Sequence, residues 1–201
     1  MFPHDLAKDS KYWVAPITKE EPDVLDKKLN PVFKNALAHY FLAYIDGKIV
    51  GRVAALINWV EVNDLKKKKV RFGWFDFIDN TEVSKALLEK VREIGIKNNL
   101  EFIEGPVGFS NMDKAGMLIK GFEKKNTMIT LYNHPYYKDH MIKHGYTKLA
   151  EWVEYELKIA NYDDAPEKIK KFSDLLLNRY KQKKHNFTKR EQKSPNEDKK
   201  Y

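Results

Sequence analysis

Asp76 is the residue whose sequence surroundings best fit a catalytic carboxylate. It lies in residues 70–78, a run rich in aromatic and β-branched residues that predicts a largely buried β-strand. Strand alternation places it on one face with three apolar side chains, Phe72, Trp74 and Ile78. A carboxylate in this position can accept a proton from an amine, directly or through water. The alternative is a structural ion pair with Arg52 or Arg71.

A glycine-rich loop carries a second group of polar residues. Ser110, Asn111 and Asp113 lie between the glycines at positions 108 and 116. Binding residues concentrate in such loops, so these three side chains are candidates for contacting a substrate. The same residue types also form turns and caps with their own backbone, and this alternative stays open.

Three histidines, His134, His140 and His144, are close together in the sequence. His140 and His144 are four residues apart and share one face of a predicted helix, which is the geometry of a metal pair. No third ligand with suitable spacing accompanies them, and the chain has no cysteine. We therefore predict no metal site and expect these imidazoles to face solvent.

The elements that must position these residues begin with a β-hairpin. Residues 40–45 and 48–60 are β-rich runs separated by Asp46-Gly47, a pair typical of a two-residue turn. The strand at 70–78 follows, and then a helix with Asn80 or Thr81 at its N-terminus. A short strand at 100–103 completes a parallel βαβ unit.

The second half of the chain alternates helices and strands less regularly. We predict a strand at 128–132, a helix at 135–144 capped by Asn133, a long strand at 148–159 and an amphipathic helix at 166–180. One short helix is expected in the glycine-rich loop. The fold class is therefore α/β of the mixed α+β kind, a mixed sheet flanked by helices.

The positive charge of the chain is concentrated at its C-terminus. Residues 181–201 hold eight basic and three acidic residues, a net charge of +5 out of the total of +8. We expect one domain at 1–180 and a basic, disordered tail at 181–201. The N-terminus lacks the pattern of a signal peptide and no apolar run is long enough to span a bilayer. We predict a cytoplasmic protein, with neither a membrane nor a nucleic acid as partner.

Four stretches of the sequence carry a resemblance to a known family. The chain resembles the GNAT acyltransferase superfamily, and within it a longer bacterial group of uncharacterised GNAT-like proteins, over about residues 10–180. The resemblance implies a twisted mixed sheet with acyl-CoA lying in a V-shaped opening between two central strands. The matching residues are 30–58, 72–83, 105–122 and 131–148.

The resemblance also identifies a departure from the family pattern. In GNAT enzymes a glycine-rich turn after this strand cradles the CoA diphosphate with backbone N–H groups. Here the turn reads Asp79-Asn80-Thr81-Glu82 and contains no glycine. Two carboxylates repel a diphosphate, so acetyl-CoA or another acyl-CoA is expected to bind poorly at this turn. The resemblance places any contacts to the cofactor at Phe77, Ile78, Asn80 and Asn133.

A similar departure concerns the family's catalytic tyrosine, which protonates the leaving thiolate. The resemblance places it four residues before Gly145, where this chain has Met141. Three nearby tyrosines are candidates for a substitute acid: Tyr132, Tyr136 and Tyr137.

Two functional hypotheses follow. The first is an acyl-CoA-dependent N-acyltransferase with a degenerate pyrophosphate loop, in which Asp76 is the base, a tyrosine is the acid and a small-molecule amine is the acceptor. The second is a non-catalytic GNAT-like module that binds a ligand or docks on a second GNAT-like domain or a second copy of itself. In the second hypothesis the catalytic half is absent from this chain.

Overall fold

The predicted hairpin is present in the computed structural model, which describes residues 2–17, 21–110, 112–127, 130–155 and 165–191, with side chains up to residue 181. Strand β1 (Ala36–Ile45) pairs with β2 (Lys48–Asn58) in antiparallel register. Asp46 and Gly47 join them with φ angles of 48° and 74°. Both values are left-handed, as a tight hairpin turn requires, and Asp and Gly tolerate this conformation.

The βαβ unit is also present. It consists of β3 (Lys69–Phe77), a helix (Thr81–Lys97) and β4 (Phe102–Glu104), which lies parallel to β3. The sheet order is β1-β2-β3-β4, and β2 pairs with β3 in antiparallel fashion. The predicted fold class is therefore confirmed as a mixed α+β fold with a mixed sheet flanked by helices.

The remaining helices complete the architecture. The chain divides into two compact units, Met1–Leu149 and Ala150–Tyr201. The last helix extends to Glu191, beyond its predicted end at residue 180. The domain boundary predicted at residue 180 and the tail predicted at 181–201 stay predictions. In chain order the helices are α1 (Phe2–Ala7), α2 (Glu21–Leu25), a 3₁₀ helix (Pro31–Lys34), α3 (Trp59–Asn63), α4 (Thr81–Lys97), α5 (Tyr136–Lys143) and α6 (Glu167–Glu191).

The main core lies between the sheet and helices α4 and α5. Val53, Phe72 and Phe77 from the sheet pack with Val91 from α4 and Met141 from α5, and all five are buried. Gly51 allows α4 to approach β2 closely, because a Cβ at this position would lie 2.8 Å from Cδ1 of Leu87. A smaller cluster on the other face joins Ala38, Leu56, Phe109 and Trp74.

A β-bulge in β3 changes the predicted alternation of its side chains. The register with β2 shifts between Arg52 and Ala54, and Trp74 has a φ of 46°. One extra residue in a strand moves every following side chain to the opposite face. Phe72 therefore packs in the main core while Trp74 packs on the other face. The expectation that Asp76 shares a face with Phe72 was wrong for this reason.

Several predicted elements are absent or displaced. Residues 130–132 and 148–155 do not form strands, while 128–129 and 156–159 lie outside the described residues. Residues 107–127 contain no helix in their described part. Conversely, α3 was missed, although Asn58 caps it through bonds from Val60 N and Glu61 N. Among the described helices, none combines the length and apolarity needed to cross a bilayer.

Candidate functional site

The open edge of β3 is the structural feature around which the candidate residues gather. The parallel ladder with β4 ends at the Arg71–Glu104 pair, and Val107 N then donates to Phe72 O at 2.7 Å. Beyond Phe72, β3 has no strand neighbour on that side in the described part of the chain. Backbone groups along an edge without a ladder partner are available for hydrogen bonds to other groups.

Two tyrosines of α5 close the far end of this edge. The backbone N–H of Phe77 donates to the Tyr137 hydroxyl at 3.2 Å, and the Tyr136 hydroxyl donates to Phe77 O at 2.6 Å. Burial raises the pKa of both hydroxyls, and the negative charge of Asp76 adds to the effect on each pKa. Both groups stay protonated at neutral pH, and each already bonds to the strand backbone.

Asp76 forms an ion pair across the sheet. Its Oδ2 lies 2.6 Å from Nε of Arg52, its register partner on β2, and both side chains are about one quarter exposed. Arg71, the other predicted partner, is buried and pairs instead with Glu61 at 2.6 Å. The carboxylate of Asp76 therefore remains accessible from solvent while its position is fixed by the guanidinium.

The turn after β3 uses its polar groups to start α4. Asn80 accepts hydrogen bonds from Glu82 N at 2.9 Å and Val83 N at 3.4 Å, so it caps the helix as predicted. Ile78 N donates to Val50 O at 3.0 Å. The carboxylate of Asp79 is 68% exposed and Glu82 is also exposed. Asn80 thus already occupies two of the amides at this helix start, and two carboxylates accompany them.

A buried polar cluster joins α4 to α5 and was missed from the sequence. Oγ of Ser84 lies 2.8 Å from Nδ1 of His140 and 2.8 Å from Nε2 of His144. Nε2 of His140 lies 3.0 Å from Oδ1 of Asp79. The expectation that His140 faces solvent was wrong, because its ring is buried against Phe77. The four-residue histidine spacing was the only sequence signal for this cluster.

The order Asp79, His140, Ser84 has the connectivity of a nucleophilic triad, but the serine is not accessible. Ser84 is 0% exposed, and its hydroxyl oxygen also lies 3.0 Å from Thr81 O. A nucleophile needs room for a substrate carbonyl beside its oxygen. The cluster therefore acts as a polar connection between helices. Among the described residues, no three metal-ligating side chains converge here or elsewhere.

The glycine-rich loop folds on itself around Asp113. Its Oδ2 accepts from Ser110 N at 2.7 Å and from Ser110 Oγ at 3.3 Å, and Ser110 Oγ accepts from Met112 N at 3.1 Å. These bonds are the turn chemistry named as the alternative. Asn111 lies outside the described residues. The substrate-binding role of the three residues stays a prediction.

Asn133 and Tyr132 complete the set of predicted residues. Asn133 is buried, accepts from Leu118 N at 2.6 Å and donates to Leu118 O at 3.2 Å. The expectation that it caps α5 was wrong, since its side chain holds the 118 region instead. Tyr132 is half-buried. The structure thus gathers Asp76, Tyr136 and Tyr137 at the β3 edge, and the catalytic role of each stays a prediction.

Two curated proteins are similar to this chain. Protein YghO of Escherichia coli strain K12 is 29% identical over 157 residues, which is 76% of this chain and 40% of that protein. The bacterial ceramide synthase of Caulobacter vibrioides is 26% identical over 162 residues, 80% of this chain and 41% of that protein. The chain therefore spans about 40% of the length of the curated relatives it matches.

Comparisons with family models and solved structures add little. No family model matches the chain. One solved structure, titled as that of a probable acetyltransferase, covers 71% of this chain and 79% of its own. It is 12% identical, with a TM-score of 0.39.

Proposed function

We propose that this chain serves acyl-CoA-dependent N-acyl transfer. The observation that carries the proposal is the accessible carboxylate of Asp76, which Arg52 holds at 2.6 Å on a strand whose edge is open beyond Phe72 in the described part of the chain. An amine entering this edge would attack the thioester carbonyl and pass its proton to Asp76, which Arg52 holds in place. The C–S bond would then break, and the proton would return from Asp76 to the departing CoA thiolate. The similarity to a bacterial ceramide synthase supports the proposal, since ceramides are amides of long-chain amines.

The cofactor would be recognised differently from the usual GNAT manner. Asp79 and Glu82 place two negative charges at the start of α4, where the resemblance expects the diphosphate. The Phe77 backbone is already bonded to Tyr136 and Tyr137. The thioester end of the cofactor would therefore bind at the open edge, with the diphosphate held outside this turn.

Acyl transfer tests the role of Asp76. Purified chain is incubated with palmitoyl-CoA and a long-chain amino alcohol, and release of free CoA thiol is followed together with the amide product by mass spectrometry. A general base contributes about 10²-fold or more, so Asp76→Asn should lower kcat by that amount. Asp139→Asn, an exposed carboxylate on α5, is the control and should leave the rate unchanged. Equal rates for wild type and Asp76→Asn would contradict the assignment.

Binding tests the charge at the turn. We expect S-acetylpantetheine, which lacks the diphosphate, to bind at least as tightly as acetyl-CoA in calorimetric titrations. Asp79→Asn with Glu82→Gln should tighten acetyl-CoA by about tenfold, because two repulsive contacts are removed. S-acetylpantetheine should be unaffected. Glu89→Gln with Glu93→Gln changes the net charge equally but farther along α4, and should change neither affinity.

A second candidate function, a partner-docking module, is favoured by one specific observation. Helix α6 exposes an apolar stripe that includes Ile169, Phe172, Leu176 and Tyr180. Large exposed apolar patches mark sites of protein association. Under this alternative the chain would dock on a second GNAT-like domain or a second copy, and catalysis would belong to the partner. Absence of acyl transfer together with concentration-dependent association would favour it.

A further inference from the structure

An open cleft lies at the opposite end of the sheet from Phe77. It has a volume of about 480 Å³ and borders the first residues of β1, Ala36 and Leu37. Ala36 pairs with Asn58 at the end of β2, while Gly51, at the other end of β2, pairs with Phe77. The cleft is therefore separate from the open edge of β3, and no residue of the proposed acyl-transfer site lines it.

The charged groups of this cleft all have the same sign. Lys27, Lys28 and Lys34 line it, and no acidic residue does. All three lysines are exposed, and none forms an ion pair with another side chain in the described part of the chain. Three unpaired ammonium groups around one concave surface attract an anion.

The walls between the lysines are apolar. Leu29, Pro31, Phe33 and Leu37 also line the cleft. Phe33 is half-buried and packs edge-on against Phe109, with ring centroids 5.1 Å apart. Leu29 is 62% exposed. A ligand that contacts both parts of this surface needs an apolar portion next to its charge.

The loop that forms the cleft is fixed in place. The side-chain amide of Asn30 donates to Val24 O at 2.8 Å, and its oxygen accepts from Val32 N at 3.0 Å. The backbone amide of Trp59, the first residue of α3, donates to Asn35 O at 2.8 Å and ties the end of the loop to the start of that helix. A loop held at both ends adds little backbone ordering cost on binding, so the main ordering cost is that of the lysine side chains.

We propose that this cleft binds a ligand that combines a phosphate group with an apolar portion. Each lysine would donate from its ammonium group to a phosphate oxygen, as lysine does at many phosphate sites. The apolar part would lie on Leu29 and Phe33. A lipid headgroup and a soluble phosphate ester both carry this phosphate group, and either source fits the cleft.

The experiment is a calorimetric titration of the full chain with dodecyl phosphate and, separately, with inorganic phosphate. Three exposed ion pairs of ordinary strength change an affinity by about tenfold in total. We therefore expect the affinity for dodecyl phosphate to fall by about that factor in the triple variant Lys27→Ala, Lys28→Ala and Lys34→Ala. Lys48→Ala, Lys120→Ala and Lys138→Ala remove three exposed lysines elsewhere and should leave the affinity unchanged.

Leu29→Ser tests the apolar part without opening the core. It should weaken dodecyl phosphate and leave inorganic phosphate unaffected. Flotation with phosphatidylcholine vesicles, with and without phosphatidic acid, distinguishes the two sources. Binding only to the phosphatidic acid vesicles assigns a lipid, and binding of the soluble phosphates without vesicle binding assigns a soluble ester. No binding of any probe, or equal losses in the two triple variants, would overturn the proposal.

Discussion

At the scale of single residues, the hydroxyl of Ser84 connects two helices. It lies between the imidazoles of His140 and His144 at 2.8 Å from each. A hydroxyl has one proton, so it donates to one ring and accepts from the other. Asp79 beside His140 favours the tautomer with the proton on Nε2, which leaves Nδ1 as the acceptor. With this tautomer the Ser84 hydroxyl donates to Nδ1 of His140 and accepts from Nε2 of His144, and Thr81 O, 3.0 Å away, is the competing acceptor for its one proton.

Removal of this hydroxyl should destabilise the fold more than its size suggests. Ser84→Ala leaves a buried ring nitrogen of His140 without its partner, which costs about 1–3 kcal/mol. Urea unfolding measures the loss. In a double-mutant cycle, His140→Phe should cost less unfolding free energy in the Ser84→Ala background than in the wild type, because both polar partners are then gone. Strict additivity of the two costs would show that the hydrogen bond contributes nothing.

The same cluster predicts a pH dependence of stability. Burial lowers the pKa of His144 from 6.5, and His140, Lys143 and Lys85 lower this pKa further, while Glu82 opposes them. The unfolded chain therefore binds the proton more readily than the folded one. The stabilisation is complete above pH 6.5 and is lost as the pH falls below that value. The difference between the urea midpoints of wild type and His144→Gln should decrease as the pH falls below 6.5. A difference that does not change with pH would contradict the prediction.

At the scale of elements, the sequence predicted the features that depend only on neighbouring residues. The Asp46-Gly47 turn and the Asn80 cap each depend on a few adjacent residues, and the structure has both. The bulge at Trp74 depends on how β3 meets β2, so no pattern within β3 shows it. The burial of His140 likewise depends on contacts with Ser84, 56 residues away in sequence. Local patterns therefore predicted the turn, the cap and Arg52 as a partner of Asp76, but not the face on which Asp76 lies or the burial of His140.

The attachment of α5 to β3 gives a prediction at this scale. Tyr137→Phe leaves the buried N–H of Phe77 without its acceptor, so it should cost about 1–3 kcal/mol of unfolding free energy. Tyr146→Phe is the matched control. Burial raises the pKa of Tyr146 to about 12, and its hydroxyl bonds to no other described residue. Urea unfolding should show little change for the control, and equal costs for both variants would refute the role of the bond.

At the scale of the whole molecule, buried and exposed apolar side chains are unevenly distributed between the two units of the chain. The two core clusters lie entirely within Met1–Leu149. In Ala150–Tyr201 the described residues include many large apolar side chains that are exposed. They are Trp152, Val153, Tyr155, Ile169, Phe172, Leu175, Leu176, Leu177 and Tyr180.

This surface predicts self-association of the purified chain. Sedimentation velocity should show concentration-dependent association of the wild type, since apolar patches of this extent seek a partner. Phe172→Glu should shift the distribution toward monomer. Ile96→Glu introduces the same charge at an isolated exposed apolar residue of α4 and should have no such effect. A wild type that stays monomeric at every concentration would exclude a second copy as the partner.

The bond between the Phe77 amide and Tyr137 also makes that amide a reporter of local opening. Its proton exchanges with solvent deuterium only when α5 leaves the strand, whereas amides of the β1–β2 ladder require the sheet itself to open. A peptide containing Phe77 should therefore take up deuterium faster than one from β2. A ligand that inserts beside β3 while α5 stays attached would slow this uptake, and one that displaces α5 would accelerate it. Exchange at one backbone position thus separates the two modes of ligand entry before any ligand-bound structure is solved.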